Sequence, residues 1–217
     1  MRGQAETVRA VAEHLDSMPD DSRAAVFPGQ LFSSYRWGTT IDPVLPALTD
    51  HPVMTRHVVP FSDPRAAELQ LAIDGLVTQR RLLPGQLAPL LDLIAATDVV
   101  VATDGRRELS GEMNTADLLR TFRTLPRTKT AEYGPSHRFA APPTTVDGTV
   151  TAPEISSLQR PRVSFLRVLP RSRPVLIDGS ADAVTAMAGF GTLPQDRALH
   201  YAPDLRKDDL GALAERG

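Results

Sequence analysis
An α/β fold, a mixed and partly parallel sheet flanked by helices with a smaller strand–helix unit at the C-terminal end, is what the order of local signals predicts. Three observations carry it. Helical periodicity alternates with short apolar runs along most of the chain. The run Asp98-Val-Val-Val-Ala102 is apolar without alternation, as in a strand covered by helices on both faces. Two pairs, Asp42-Pro43 and Asp63-Pro64, combine a capping residue with a first-turn proline, the signature of a helix start.

Residues 7–18 place Val8, Val11, Ala12, Leu15 and Met18 on one helical face, closed by Pro19. Residues 23–27 then read as a short buried strand ended by Pro28-Gly29. A helix is expected to start at Asp42. The next starts at Asp63, buries Ala66, Leu69, Ile73, Leu76 and Val77, and breaks at Pro84-Gly85. A further helix carrying Leu87, Leu90, Leu91 and Ile94 leads into the strand at 98–102, completing a strand–helix–strand layout. Residues 115–124 predict a helix with Leu118, Leu119 and Phe122 inward. Residues 128–133 and 163–169 are expected to pair antiparallel at the sheet edge, with an irregular Pro- and Thr-rich excursion near 141–160 between them. A strand ending at Asp178-Gly179 opens the smaller unit, where Ser180 caps a helix over 181–189, followed by a strand at 197–201 and a helix at 207–216. The expected division is residues 1–170 and 171–217, the second truncated at its C-terminus.

Composition narrows the function classes. Of 217 residues, 41% are hydrophobic and only 5% aromatic, so aliphatic side chains must supply most of the core. A net charge of −2 without a basic run argues against a nucleic-acid partner. The chain has no cysteine, which removes disulfides, thiolate metal sites and thiol catalysis. No apolar run approaches the roughly 20 residues of a membrane span, so no direct membrane insertion is expected. No phosphate-binding loop, nucleophile elbow or paired-histidine zinc motif occurs, and Gly189-Phe-Gly191 closes a helix instead of opening one. No cofactor, metal or catalytic residue is expected.

The densest chemistry lies in Phe27-Pro-Gly-Gln-Leu-Phe-Ser-Ser-Tyr-Arg-Trp-Gly38, which holds the only tryptophan, one of three tyrosines and two of seven phenylalanines. It follows a strand, where α/β folds build ligand sites. Tyr35, Arg36 and Trp37 are the candidate glycan-binding residues, because aromatic faces stack on sugar rings and arginine supplies fixed donors. The competing reading is that Phe27, Phe32, Tyr35 and Trp37 plug the core at the strand end. Asp104, after the 98–102 strand, is a weaker fourth candidate, and Asp178 holds a similar position; both precede glycine, so a plain Asp-Gly turn accounts for either. His14, His51, His57, His137 and His200 have no recognised ligand or catalytic spacing.

Val26 through Gly38, the Asp42-Pro43 pair, Leu45 through Leu48, the Val99 to Val101 strand, and the segment from Val175 to Pro194 together resemble the extracytoplasmic region of actinobacterial α-(1→3)-arabinofuranosyltransferases. The resemblance implies a piece of a multi-span membrane glycosyltransferase that transfers arabinofuranose from a polyprenyl-phosphate donor onto cell-wall arabinan. It implies an extracytoplasmic location, the remaining modules of the parent chain as partners, and cell-wall glycan as a contact. Similar proteins often carry coagulation factor 5/8 type (discoidin-like) modules; no such β-sandwich is legible here. No residue matches the family's catalytic acid, so the expected role is non-catalytic. Two alternatives stay open: a free-standing small-molecule enzyme with its site at the strand ends near Asp104 and Asp178, and a structural interdomain spacer.

Overall fold
The computed structural model describes residues 2–30, 32–57, 62–106, 109, 113–141, 148–166, 174–206 and 211. Its centre is a five-stranded mixed sheet in the order β4-β1-β5-β7-β6. Strands β1 (Arg23–Phe27), β4 (Val53–Met54) and β5 (Ala96–Ala102) run parallel, whereas β6 (Lys129–Ala140) and β7 (Thr149–Gln159) form an antiparallel pair attached to β5. The α/β class read from the sequence is the observed one.

Alternating side chains of β1 and β5 feed two separate cores. Ala24 and Val100 face helix α1 (Arg2–Asp16), packing on Val8, Val11, Ala12 and Leu15. Ala25, Phe27, Val99 and Val101 face the opposite layer, built from α2 (Pro64–Thr78), α3 (Leu87–Leu93) and α4 (Thr115–Arg123). Because both faces are covered, Ala96 through Val101 are all buried, which explains a strand without polar alternation. Ile177 of β8 (Val175–Ile177), with Val184 and Ala188 of α5 (Ala181–Gly189), joins the same larger core. Strand β8 pairs in parallel with β9 (Leu199–Tyr201) as a second, two-stranded sheet.

The cap at α2 forms as its sequence requires: the Asp63 carboxylate accepts from the Arg65 and Ala66 amides at 2.9 and 3.4 Å. Ser180 likewise caps α5, accepting from the Asp182 amide. On α2, Ala66 is exposed and Ala67 buried, a shift of one residue from the expected face, and Asp74 is buried beside Ile73.

Three expectations are corrected. Asp42-Pro43 starts no α-helix; only one 3-10 turn, Leu45–Ala47, follows. With Asp42 as cap, Pro46 would be the first residue to donate an intrahelical bond, and it has no N–H. The partner of β6 is β7, drawn from the Pro- and Thr-rich stretch, and residues 163–166 form no strand. Strand β7 tolerates Pro153 because the ladder shifts register there: between Tyr133 and Ser136 β6 advances three residues against two on β7. Gly134, at φ +75°, makes that bulge. The third correction concerns the aromatic segment, which is not a loop throughout but contains the hairpin β2 (Ser33–Tyr35) and β3 (Gly38–Thr40). The helix expected over 207–216 and the strand expected over 167–169 lie outside the described residues.

Candidate functional site
Strand order sets where a crevice should open. The chain leaves β1 for β4 on one side and reaches β5 on the other, so a topological switch point lies beyond the carboxyl ends of β1 and β5, which stay paired as far as Phe27 and Val101. That crevice is occupied by the chain's own hairpin. The Arg36 amide donates to the Asp104 carbonyl at 2.9 Å, the Arg106 amide donates to the Ser34 carbonyl at 2.7 Å, and Tyr35 bridges Gly105. Neither Arg36 nor Trp37 has a positive φ, so this two-residue turn lacks the primed geometry that stabilises an isolated hairpin. Its anchor is the tip of β5.

All four candidate residues therefore meet. The Tyr35 and Trp37 rings stack at 4.6 Å with planes 7° apart, and both are half-buried. Their polar tips point into the protein: the Tyr35 hydroxyl accepts from the Val44 amide at 3.1 Å, and the Trp37 indole N–H donates to Asp104 Oδ2 at 3.4 Å. The Arg36 guanidinium lies over the Phe139 ring, 4.7 Å from its centroid. Asp104 is 3% exposed, and its Oδ1 is buried with no hydrogen-bond partner among the described residues. Of the plug set, Phe27 is buried in the larger core, whereas Phe32 is 55% exposed.

Two neighbours complete the site, and the first of them has no signal in the sequence. Glu154 is 2% exposed on β7; it accepts from the Thr7 hydroxyl and pairs with His137 Nε2, each at 3.1 Å. No local pattern marks Glu154, because its burial follows from the β5–β7 register, where the Thr103 amide donates to the Glu154 carbonyl. Desolvation lifts the Asp104 carboxyl to about 6, with the Trp37 hydrogen bond opposing and the nearby Glu154 charge assisting. Neither of the two grooves of about 600 Å³ includes Asp104 or Trp37, so the arrangement is a surface platform over a closed carboxyl.

Asp178 stands apart, exposed at the end of β8 in the other sheet. His14, Ser157 and Asp98 do come together beneath α1, with His14 Nε2 3.4 Å from the Ser157 hydroxyl and 3.7 Å from Asp98 Oδ1. A catalytic triad uses both imidazole nitrogens, one toward the serine and one toward the acid. Here the same nitrogen faces both, and Ser157, 1% exposed, donates to Asp98 at 3.1 Å. The cluster ties α1 to the sheet. Among the described residues no group of His, Asp and Glu could hold a metal.

The buried carboxyls predict a pH effect. Desolvation also raises Asp74 to about 6, against the Gly29 amide that donates to it at 2.7 Å. An unfolded Asp titrates at about 3.9. From about pH 4 to 6 the folded chain therefore holds protons that the unfolded chain has lost, and both groups cost stability as pH rises through that window. Asp74→Asn and Asp104→Asn are expected to gain on the wild type between about pH 4 and 7, by at most roughly 3 kcal/mol each. Urea melts across that range check it; a pH-independent difference contradicts it.

Residues 8–214 match the family model for alpha-(1→3)-arabinofuranosyltransferase, N-terminal GT-C domain. No curated protein matches the chain. Among solved structures, the cryo-EM structure of arabinofuranosyltransferase AftD from Mycobacteria is similar with a TM-score of 0.69 and 21% identity, over 84% of this chain. Two classes of a point mutant of that protein give TM-scores of 0.68 and 0.65 at 20% identity, each over 83% of this chain. At such identities the likeness is one of fold. The chain spans 14–15% of the length of those proteins. Among the described residues no helix is long and apolar enough to cross a membrane.

Proposed function
This chain belongs to the alpha-(1→3)-arabinofuranosyltransferase N-terminal GT-C domain family, and we propose that it is a non-catalytic, extracytoplasmic domain of a membrane-bound arabinofuranosyltransferase that contacts cell-wall arabinan. The remaining modules of the parent chain, which carry the transfer reaction in this reading, are its fixed partners. One observation supports the glycan contact above the rest: the half-buried Tyr35–Trp37 stack, whose polar tips are tied inward, beside Arg36. Such a pair keeps ring surface for the apolar face of a sugar, while the guanidinium supplies donors for its hydroxyls. The closed Asp104 and Glu154 carboxyls support a role without bond-breaking, since a general acid must reach its substrate.

Isothermal titration with an α-linked arabinofuranose oligosaccharide tests the contact. Trp37→Ala is expected to weaken binding at least about tenfold, the loss typical of an aromatic anchor. Equal affinity of variant and wild type, or no binding by the wild type, removes the glycan reading.

A second reading, an interdomain spacer, is favoured by a different surface. Phe190, Leu83 and Leu71 are 79%, 50% and 47% exposed, and all three line the groove of about 600 Å³ between α2 and α5. Apolar side chains gathered at one groove suit a packed neighbour better than water.

A further inference from the structure
Each ring of the hairpin stack has one polar anchor, and only one of the two anchors ionises near neutral pH. The Tyr35 hydroxyl accepts from the Val44 backbone amide at 3.1 Å, a bond indifferent to pH in that range. The Trp37 indole N–H donates to Asp104 Oδ2 at 3.4 Å and meets no other acceptor among the described residues. Asp104 also holds the hairpin by its backbone, its carbonyl accepting from the Arg36 amide at 2.9 Å. The Arg106 amide and guanidinium donate to the Ser34 and Arg36 carbonyls at 2.7 and 3.2 Å. Those contacts keep the hairpin backbone on the tip of β5 whatever the charge of the Asp104 side chain. What that side chain controls is the Trp37 ring, stacked 4.6 Å from Tyr35.

The charged groups facing Asp104 among the described residues come from the hairpin and from β7. Burial disfavours its ionised form most, and the charge of Glu154 on β7 adds to that; the indole N–H and Arg36 favour ionisation. Glu154 is itself engaged by His137 of β6 and Thr7 of α1. The balance sets the carboxyl at about 6. A carboxylate accepts a charge-assisted bond, roughly twice as strong as one to a neutral acid. The ring is therefore held most firmly above that value.

We propose that Asp104 is the positioning residue of the aromatic platform: as a carboxylate it holds the Trp37 ring in its stack on Tyr35, and on protonation it loosens that ring. At 3% exposure Asp104 touches no ligand in this role. The effect on sugar binding rests on the glycan reading above; the hold on Trp37 does not.

Acrylamide quenching of Trp37, the only tryptophan of the 217-residue protein, tests the hold with no glycan present. The quenching constant is expected to rise as pH falls, in one transition with its midpoint at about 6. Asp74 titrates in the same range, so comparison with Asp104→Asn assigns the transition. That variant, neutral at every pH, is expected to quench at the acid-side value throughout. Glu154→Gln is expected to keep the transition and move its midpoint down, a shift that a merely structural role for Asp104 does not produce. Affinity for an α-linked arabinofuranose oligosaccharide is expected to fall about fivefold from about pH 7.5 to about pH 5 in the wild type and to stay constant in Asp104→Asn. The quenching transition without glycan binding at any pH supports the positioning role and removes the glycan reading alone. Wild-type quenching that does not change with pH overturns the proposal, as does the same transition in Asp104→Asn.

Discussion
Gly134→Val is expected to destabilise the fold by about 2–5 kcal/mol. Two costs add. At φ +75° a side chain, and a β-branched one above all, is strained by about 1–2 kcal/mol. The new Cβ would also stand 2.6 Å from Glu154 Oε2 and 2.8 Å from Thr7 Oγ1, so Glu154 must move. Moving it breaks its contacts with Thr7 and His137 and leaves a buried carboxyl without partners, worth about 1–3 kcal/mol more. Urea denaturation measures the loss. Gly38→Ala is the control: a Cβ there meets nothing within 4 Å, and the change is expected to stay within about 0.5 kcal/mol. A Gly134→Val loss no larger than that of the control contradicts the bulge geometry.

Phe27→Ala is expected to cost about 3–5 kcal/mol. The side chain is 1% exposed, its ring meets Phe122 of α4 at 5.3 Å between centroids, and it closes the larger core where β1 ends. The hairpin begins six residues later, so the cavity loosens the base on which the platform stands. Phe190→Ala removes the same ring from a position 79% exposed and is expected to change stability by less than about 0.5 kcal/mol. Similar losses for both would mean that Phe27 is not a core residue.

These two sites also mark what the sequence could and could not convey. Strand β1, helix α2 with its Asp63 cap and helix α5 with its Ser180 cap were legible because each is written in neighbouring residues. Strand β7 was not. Its identity rests on Pro153 meeting a bulge on β6, a fact of register between segments that no local pattern encodes. At Asp42 the favourable first-turn proline is cancelled by a second, Pro46, four residues after the cap, so no α-helix forms. Tyr35, Arg36, Trp37 and Asp104 were readable together because each follows a parallel strand at its carboxyl end. Glu154 and His137 come from the antiparallel pair, where polar residues normally face water, so the burial of Glu154 and its contact with half-buried His137 had no signal. Whether Trp37 faces in or out has a mixed answer: its indole N–H points inward to Asp104, while the residue stays half-buried and stacked on Tyr35.

The central claim, that this hairpin is a glycan platform, is tested most directly by the emission of the only tryptophan in the chain. On titration with an α-linked arabinofuranose oligosaccharide, Trp37 emission is expected to shift to shorter wavelength and saturate as a sugar ring displaces water from its open face. Tyr35→Ala and Arg36→Ala are expected to move the midpoint to higher concentration. Emission that stays constant through the titration would contradict the account and leave the hairpin as a plug in the crevice between β1 and β5.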